Sequence, residues 1–187
     1  MDIIDLHRKA VANTGRIVSG VRTSQLSQPT PCPDFDVRTL LNHVIAGNYW
    51  CAGLLERGAA EFDSATDFVG DDPGNAFEIS VKGLLDAARQ PGVLARPVQL
   101  PWGESLGEAA LSLHFTEAVA HGWDVAKATG QDTTIAPELA EPCLELARTS
   151  ISEDYRKPEM KVFGPEIKIP ADAPVQERLI GFLGRQP

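Results

Sequence analysis

Glu117 and His121 stand one helical turn apart in the stretch Leu113-His114-Phe115-Thr116-Glu117-Ala118-Val119-Ala120-His121-Gly122-Trp123-Asp124. At about 100° per residue, a carboxylate and an imidazole so spaced project from one side of a helix and can converge on one atom. A divalent metal ion is the candidate for that atom. With Leu111 set at 0°, Phe115, Ala118, Gly122 and Val125 fall within about 40° of it and mark the core side. Ser112, Thr116, Trp123 and Lys127 fall near about 100° to 160°, the expected solvent side, while Glu117 and His121 come at about 240° and 280° beside His114 and Ala110. Both groups should therefore point inward or into a groove. A bare carboxylate is expensive to bury, so an inward Glu117 must be neutral, hydrogen-bonded, ion-paired or metal-bound. Pairing with an arginine such as Arg16 or Arg89, with His121 as a satisfied core partner, is the alternative to a metal.

His43 adds a third group from a second helix, beside Leu40 and Val44, with Gly47 one turn later leaving space above the ring. A lone inward histidine is more often a satisfied core residue than a ligand. Two inward histidines and one glutamate from two helices, however, match how metal sites are built in helical bundles. Three protein ligands leave a position open for water or substrate, as in a catalytic rather than a structural site. The donor set suits zinc first, and nickel, iron or manganese as well. His114, one turn before Glu117, is a reserve ligand or a substrate-facing group. Asp124 is placed either to orient the His121 imidazole or to form an ordinary salt bridge. His7, near the chain start, is expected to be exposed. Cys32, Cys51 and Cys143 are odd in number and form no Cys-x-x-Cys pair, which argues against a disulfide framework and for reduced thiols. Cys32 alone keeps chemical interest, because it lies between Pro31 and Pro33 beside the helix that carries His43. No glycine-rich phosphate loop and no Gly-x-Ser-x-Gly elbow occurs in the sequence.

The elements that must position these groups read as helices. Apolar residues spaced by three, four and seven predict a first helix from Ile3 to about Val21. Three prolines in five residues break the chain at Pro29 to Pro33, and Asp36 is a good N-cap for a second helix from Val37 to about Leu55. A long, acidic surface loop from Gly58 to Gly74 follows, then a third helix from about Gly74 or Asn75 to Gln90, stopped by Pro91-Gly92. Val93 to Gly103 reads as an extended connector. The fourth helix is expected from about Ser105 to Thr129 and a fifth from Pro137 to about Asp154. Near the end, Glu166-Ile167-Lys168-Ile169 alternates like a short strand, and Pro174 opens a terminal helix from Val175 to Leu183. The expected fold is all-α: a four-helix bundle with an extra helix and a short C-terminal strand-helix appendage. One domain should span 1–187, with the bundle over about 1–155 and the appendage, sealing one end, over about 160–187.

With 187 residues, 43% apolar and 23% charged, the chain is long enough to bury a core without staples. A formal charge of -9 disfavours nucleic acid and anionic lipid and fits a small-molecule partner. No apolar run approaches the ~20 residues of a membrane helix, and the acidic N-terminus lacks a secretion-signal layout, so a cytoplasmic location is expected. A homodimer is a common state for bundles of this size.

Taken together, Thr30-Pro31-Cys32-Pro33-Asp34-Phe35-Asp36-Val37-Arg38-Thr39-Leu40-Leu41-Asn42-His43, the Leu100-Pro101-Trp102-Gly103 turn, and Glu117-x-x-x-His121-Gly122-Trp123-Asp124-Val125 resemble an actinobacterial group of the DinB/YfiT-like superfamily. That group includes the N-terminal domain of mycothiol-dependent maleylpyruvate isomerase. The resemblance implies a DinB-like four-helix bundle holding a divalent metal through His43, Glu117 and His121. It also implies mycothiol as co-substrate, in a transferase or isomerase reaction in which the metal activates a low-molecular-weight thiol. One departure stands out: the isomerase carries a sizeable C-terminal domain, whereas about thirty residues follow the fifth helix here, which argues against maleylpyruvate isomerisation itself. A metal-dependent hydrolase that needs no thiol and a non-catalytic metal-binding bundle are the competing expectations.

Overall fold

The computed structural model describes residues 2–156 and 164–187. It contains six α-helices and one two-stranded hairpin among those residues. The chain divides into two compact units, 1–132 and 133–187.

In the first unit, α1 (Ile3–Ser19), α2 (Val37–Arg57), α3 (Pro73–Ala88) and α4 (Gly107–Thr129) form a four-helix bundle. Each helix packs on two others, α1 on α4 and α3, α2 on α3 and α4, so the four close into a ring. Their apolar stripes meet in a core built from Ile17, Val18, Leu40, Leu41, Ile45, Phe77 and Val125. Asp36 caps α2 as expected, accepting from the Thr39 backbone N–H at 2.8 Å, and Gly58 ends the helix at φ 80°. That fixed start sets the angular position of every side chain on α2, His43 included. No helix among the described residues is long and apolar enough to cross a membrane.

Four expectations change in detail. The stretch read as an extended connector is a hairpin, β1 (Pro97–Leu100) paired antiparallel with β2 (Gly103–Leu106), and α4 therefore starts at Gly107. Val98 and Leu100 alternate inward onto Leu54 and Ala110, and that burial stabilises so short a ladder. Thr116 and Trp123, assigned to solvent, are 6% and 3% exposed, because α4 is enclosed around almost its whole circumference between His114 and Ala126. Only Lys127 of that arc is exposed, with its ammonium 5.3 Å from the Trp123 ring centroid. His7 is not exposed but fully enclosed, since it lies on the same stripe of α1 as Ile3, Ala10 and Ile17.

The second unit packs α5 (Pro137–Ser150) on α6 (Val175–Phe182). The helix from Pro137 stops at Ser150, short of Asp154, and a 3-10 turn over Glu153–Arg156 follows. Among the described residues Glu166 to Ile169 pairs with no other strand; instead the Ile167 N–H donates to the Gly181 carbonyl of α6 at 2.9 Å, so the alternating segment lies along a helix.

Candidate metal centre

The proline-rich loop ahead of α2 is closed by its own threonine. Thr30 donates through its backbone N–H and its hydroxyl to the Phe35 carbonyl, at 3.2 and 2.9 Å, and the Cys32 N–H donates to Thr30 Oγ1 at 3.1 Å. Asp34 adopts φ 71° to make the turn. The closed loop carries Cys32 to α4, where its thiol donates to Asp124 Oδ2 at 3.2 Å and lies 3.8 Å from His121 Nδ1.

His43 stands at the edge of the buried stripe of α2, and Glu117 stands opposite on α4, each with a third of its side chain exposed. His43 Nε2 is 3.5 Å from Glu117 Oε2, and His121 Nε2 is 3.0 Å from the same oxygen. The two imidazoles meet edge to face, with centroids 5.1 Å apart. One donor atom from each of His43, Glu117 and His121 lies within 4.8 Å of the others, and Cys32, His121 and Asp124 form a second such group. Helical spacing along α4 thus brings Glu117 and His121 together, and the packing of α2 on α4 adds His43.

His121 faces a carboxylate at each nitrogen, because Asp124 Oδ2 is 3.0 Å from Nδ1. Burial alone would discharge the ring, but Glu117, helped by Asp124 and Cys32, holds its pKa well above the usual 6.5. Burial likewise disfavours an ionised Glu117, yet the charge and hydrogen bonds of His121 and His43 hold that carboxyl well below its usual range. The two carboxylates thus favour the imidazolium form of His121, which can donate one N–H to each. The position between His121 Nε2 and Glu117 Oε2 favours positive charge.

His114 lies one turn further along the same face of α4. Burial first, with His121 and His43 adding to it and Glu117 opposing, lowers its pKa to about 4. Behind it, His7 Nε2 stands 2.9 Å from His114 Nδ1, and burial together with His114 lowers the His7 pKa to about 2. Aromatic rings wall the His43 side: Phe35 and Phe62 have centroids 5.7 and 5.3 Å from its ring, and Trp50 stands 6.3 Å from Phe62. The sequence reading overlooked Phe62, which a loop delivers without any periodic signal, and misplaced His7, which the three-four-seven spacing of Ile3, His7, Ala10, Thr14 and Ile17 could have revealed.

Fold and site together define a helical bundle with an inward-facing His/Glu/His cluster. A family model described as the mycothiol maleylpyruvate isomerase N-terminal domain matches residues 7–126, and the chain belongs to that family. Two uncharacterized proteins of Mycobacterium tuberculosis, from strains H37Rv and CDC 1551, are each 32% identical to it over 99% of this chain and 98% of their own. Among solved structures, the crystal structure of the mycothiol-dependent maleylpyruvate isomerase is similar at a TM-score of 0.62 and 17% identity, over 75% of this chain and 65% of that one. A histidine-to-alanine mutant of the same isomerase gives a TM-score of 0.62 at 16% identity, with the same coverage. These two likenesses establish the fold.

Proposed function

We propose that this chain is a divalent-metal-dependent enzyme that transfers or isomerises with the help of a low-molecular-weight thiol, mycothiol by its family kinship. His43, Glu117 and His121 hold the metal, and zinc is the first choice. The observation that carries this reading is the approach of two imidazole Nε2 atoms to one carboxylate oxygen, at 3.5 and 3.0 Å. The donor set fits the ion chemically: two neutral imidazoles and a carboxylate satisfy zinc and leave a position open. It also fits structurally, because Asp124 accepts from Nδ1 of His121 and so turns Nε2 toward the shared position.

A divalent ion held by these three residues would supply Lewis acidity that lowers the pKa of a thiol near it. The protein's own groups do the rest. Asp124 fixes the His121 ring, Glu117 offsets the positive charge of the ion, and Phe35 and Phe62 set apolar rings beside His43. Elemental analysis of protein purified without an affinity metal column tests the reading. One equivalent of zinc per chain is expected, lost in His43→Ala and Glu117→Gln; absence of stoichiometric divalent metal from the parent would sink it. Turnover without added thiol would move the assignment to a hydrolase, and bound metal with no calorimetric thiol binding would move it to a non-catalytic bundle.

A further inference from the structure

The metal reading leaves one buried titratable pair without a role. His7 on α1 and His114 on α4 are 0% and 5% exposed, and their Nε2 and Nδ1 atoms are 2.9 Å apart. One proton must lie between these two nitrogens, which allows two neutral arrangements. In the first, His114 donates from Nδ1, so that His7 carries its own proton on Nδ1. In the second, His7 donates from Nε2, its Nδ1 keeps a lone pair, and His114 carries its proton on Nε2. His7 Nδ1 is buried and meets no protein partner among the described residues. An orphaned buried N–H is harder to tolerate than an under-used acceptor, so the second arrangement is favoured.

The His114 N–H that results faces α2 at Gly47. A Cβ built on Gly47 would lie 3.9 Å from His114 Nε2, in ordinary contact, so the absent side chain leaves room there for a ligand atom. Gly47 is one turn beyond His43 on α2, and His114 is about one turn before Glu117 on α4. The N–H therefore lies on the α2–α4 side that carries the His43, Glu117 and His121 cluster, on a residue about one helical turn from Glu117, an offset that one small molecule bridges. Burial keeps both rings of the pair uncharged. A neutral imidazole N–H of this kind polarises a carbonyl without bringing a full positive charge into the site.

We propose that His114 is the electrophilic group of this site, a neutral Nε2–H donor to a carbonyl oxygen of the substrate, with its tautomer fixed from behind by His7. The substrate class is then a carbonyl compound whose apolar body lies against Phe35 and Phe62. The substrate's place beside a metal rests on the function proposed above, whereas the tautomer does not. Long-range nitrogen-proton NMR of the full, metal-free chain at neutral pH should show both rings protonated on Nε2. A proton on His114 Nδ1, or on both of its nitrogens, overturns the proposal. Cinnamaldehyde, an aromatic enal, serves as the carbonyl probe. Its carbonyl stretch should move to lower wavenumber on binding, with the movement lost in His114→Phe and His7→Leu. His7→Gln should retain it, since its amide N–H can take the place of the Nε2 donor. No movement in the parent, or the same movement in His114→Phe, overturns the carbonyl assignment. Should His7→Leu not fold, the parent tautomer and His7→Gln still decide. Zinc titration of the same proteins separates the two readings: a failure to bind zinc with the tautomer and carbonyl shift intact sinks the metal alone, and zinc binding with an Nδ1 tautomer sinks this proposal alone.

Discussion

His121 concentrates the chemistry of the site at one ring, because each of its nitrogens has a committed direction. Nδ1 is held by Asp124, which also accepts from the Cys32 thiol, and Nε2 is aimed at the oxygen that His43 approaches. Asp124→Asn keeps the shape and an acceptor oxygen but removes the charge that makes the ring a stronger ligand. Zinc affinity should fall by about 10- to 100-fold, the usual cost of losing such a partner. Cys32→Ser, which preserves a donor to Asp124, should change it far less. Competition against a chromophoric chelator measures both; equal affinities for parent and Asp124→Asn would remove Asp124 from the site.

At the scale of elements, the register of α4 against α1 decides where His114, Glu117 and His121 sit. Thr14 of α1 donates through its hydroxyl to the Ala118 carbonyl of α4 at 2.8 Å, and a Cβ on Gly122 would come within 2.7 Å of that hydroxyl oxygen. Gly122→Ala should therefore push the helices apart or break the Thr14 bond, costing roughly 1–3 kcal/mol despite alanine's better helix propensity. Thr14→Ala combined with Gly122→Ala should recover part of that loss, a coupling that urea unfolding of the four proteins reads directly. The sequence made the helix faces legible because their signals are local: the Asp36 cap, the stripes of α1 and α2, and the four-residue spacing of Glu117 and His121. The hairpin was not legible, since four-residue strands, the first beginning at a proline, carry little periodicity and their inward side chains pack on Leu54, more than forty residues earlier, and on Ala110 of α4. The solvent arc of α4 was misread for a related reason: an angular pattern marks the most apolar side of a helix but cannot tell that the other sides are covered too. His7 has its partner 107 residues away, so its burial was written in spacing but its bond was not.

At the scale of the whole molecule, the buried groups set a stability optimum that metal should reshape. His7 and His114 have pKa values lowered from 6.5 to about 2 and about 4, so below about 6.5 the unfolded chain takes up protons that the folded chain refuses. Stability should then fall with decreasing pH, by about 1.4 kcal/mol per pH unit for each ring, until the folded-state value is reached. His121 acts in the opposite direction. Its raised pKa contributes stability that is fully present below 6.5 and is lost as pH rises through the folded-state value. Glu117, with its lowered pKa, contributes above about 4.5 and loses that contribution only in stronger acid. The metal-free protein should therefore be most stable near pH 6.5 and weaken on both sides. In the proposed metal site zinc would replace the proton on His121 Nε2, so saturating zinc should abolish the alkaline decline and add about 2.7 kcal/mol at about 100 times the dissociation constant. Urea midpoints measured from about pH 4 to pH 9, with and without zinc, test this. An alkaline limb that persists unchanged in zinc would show that the ion binds somewhere other than His121, while the acid limb, which belongs to His7 and His114, should remain in either state.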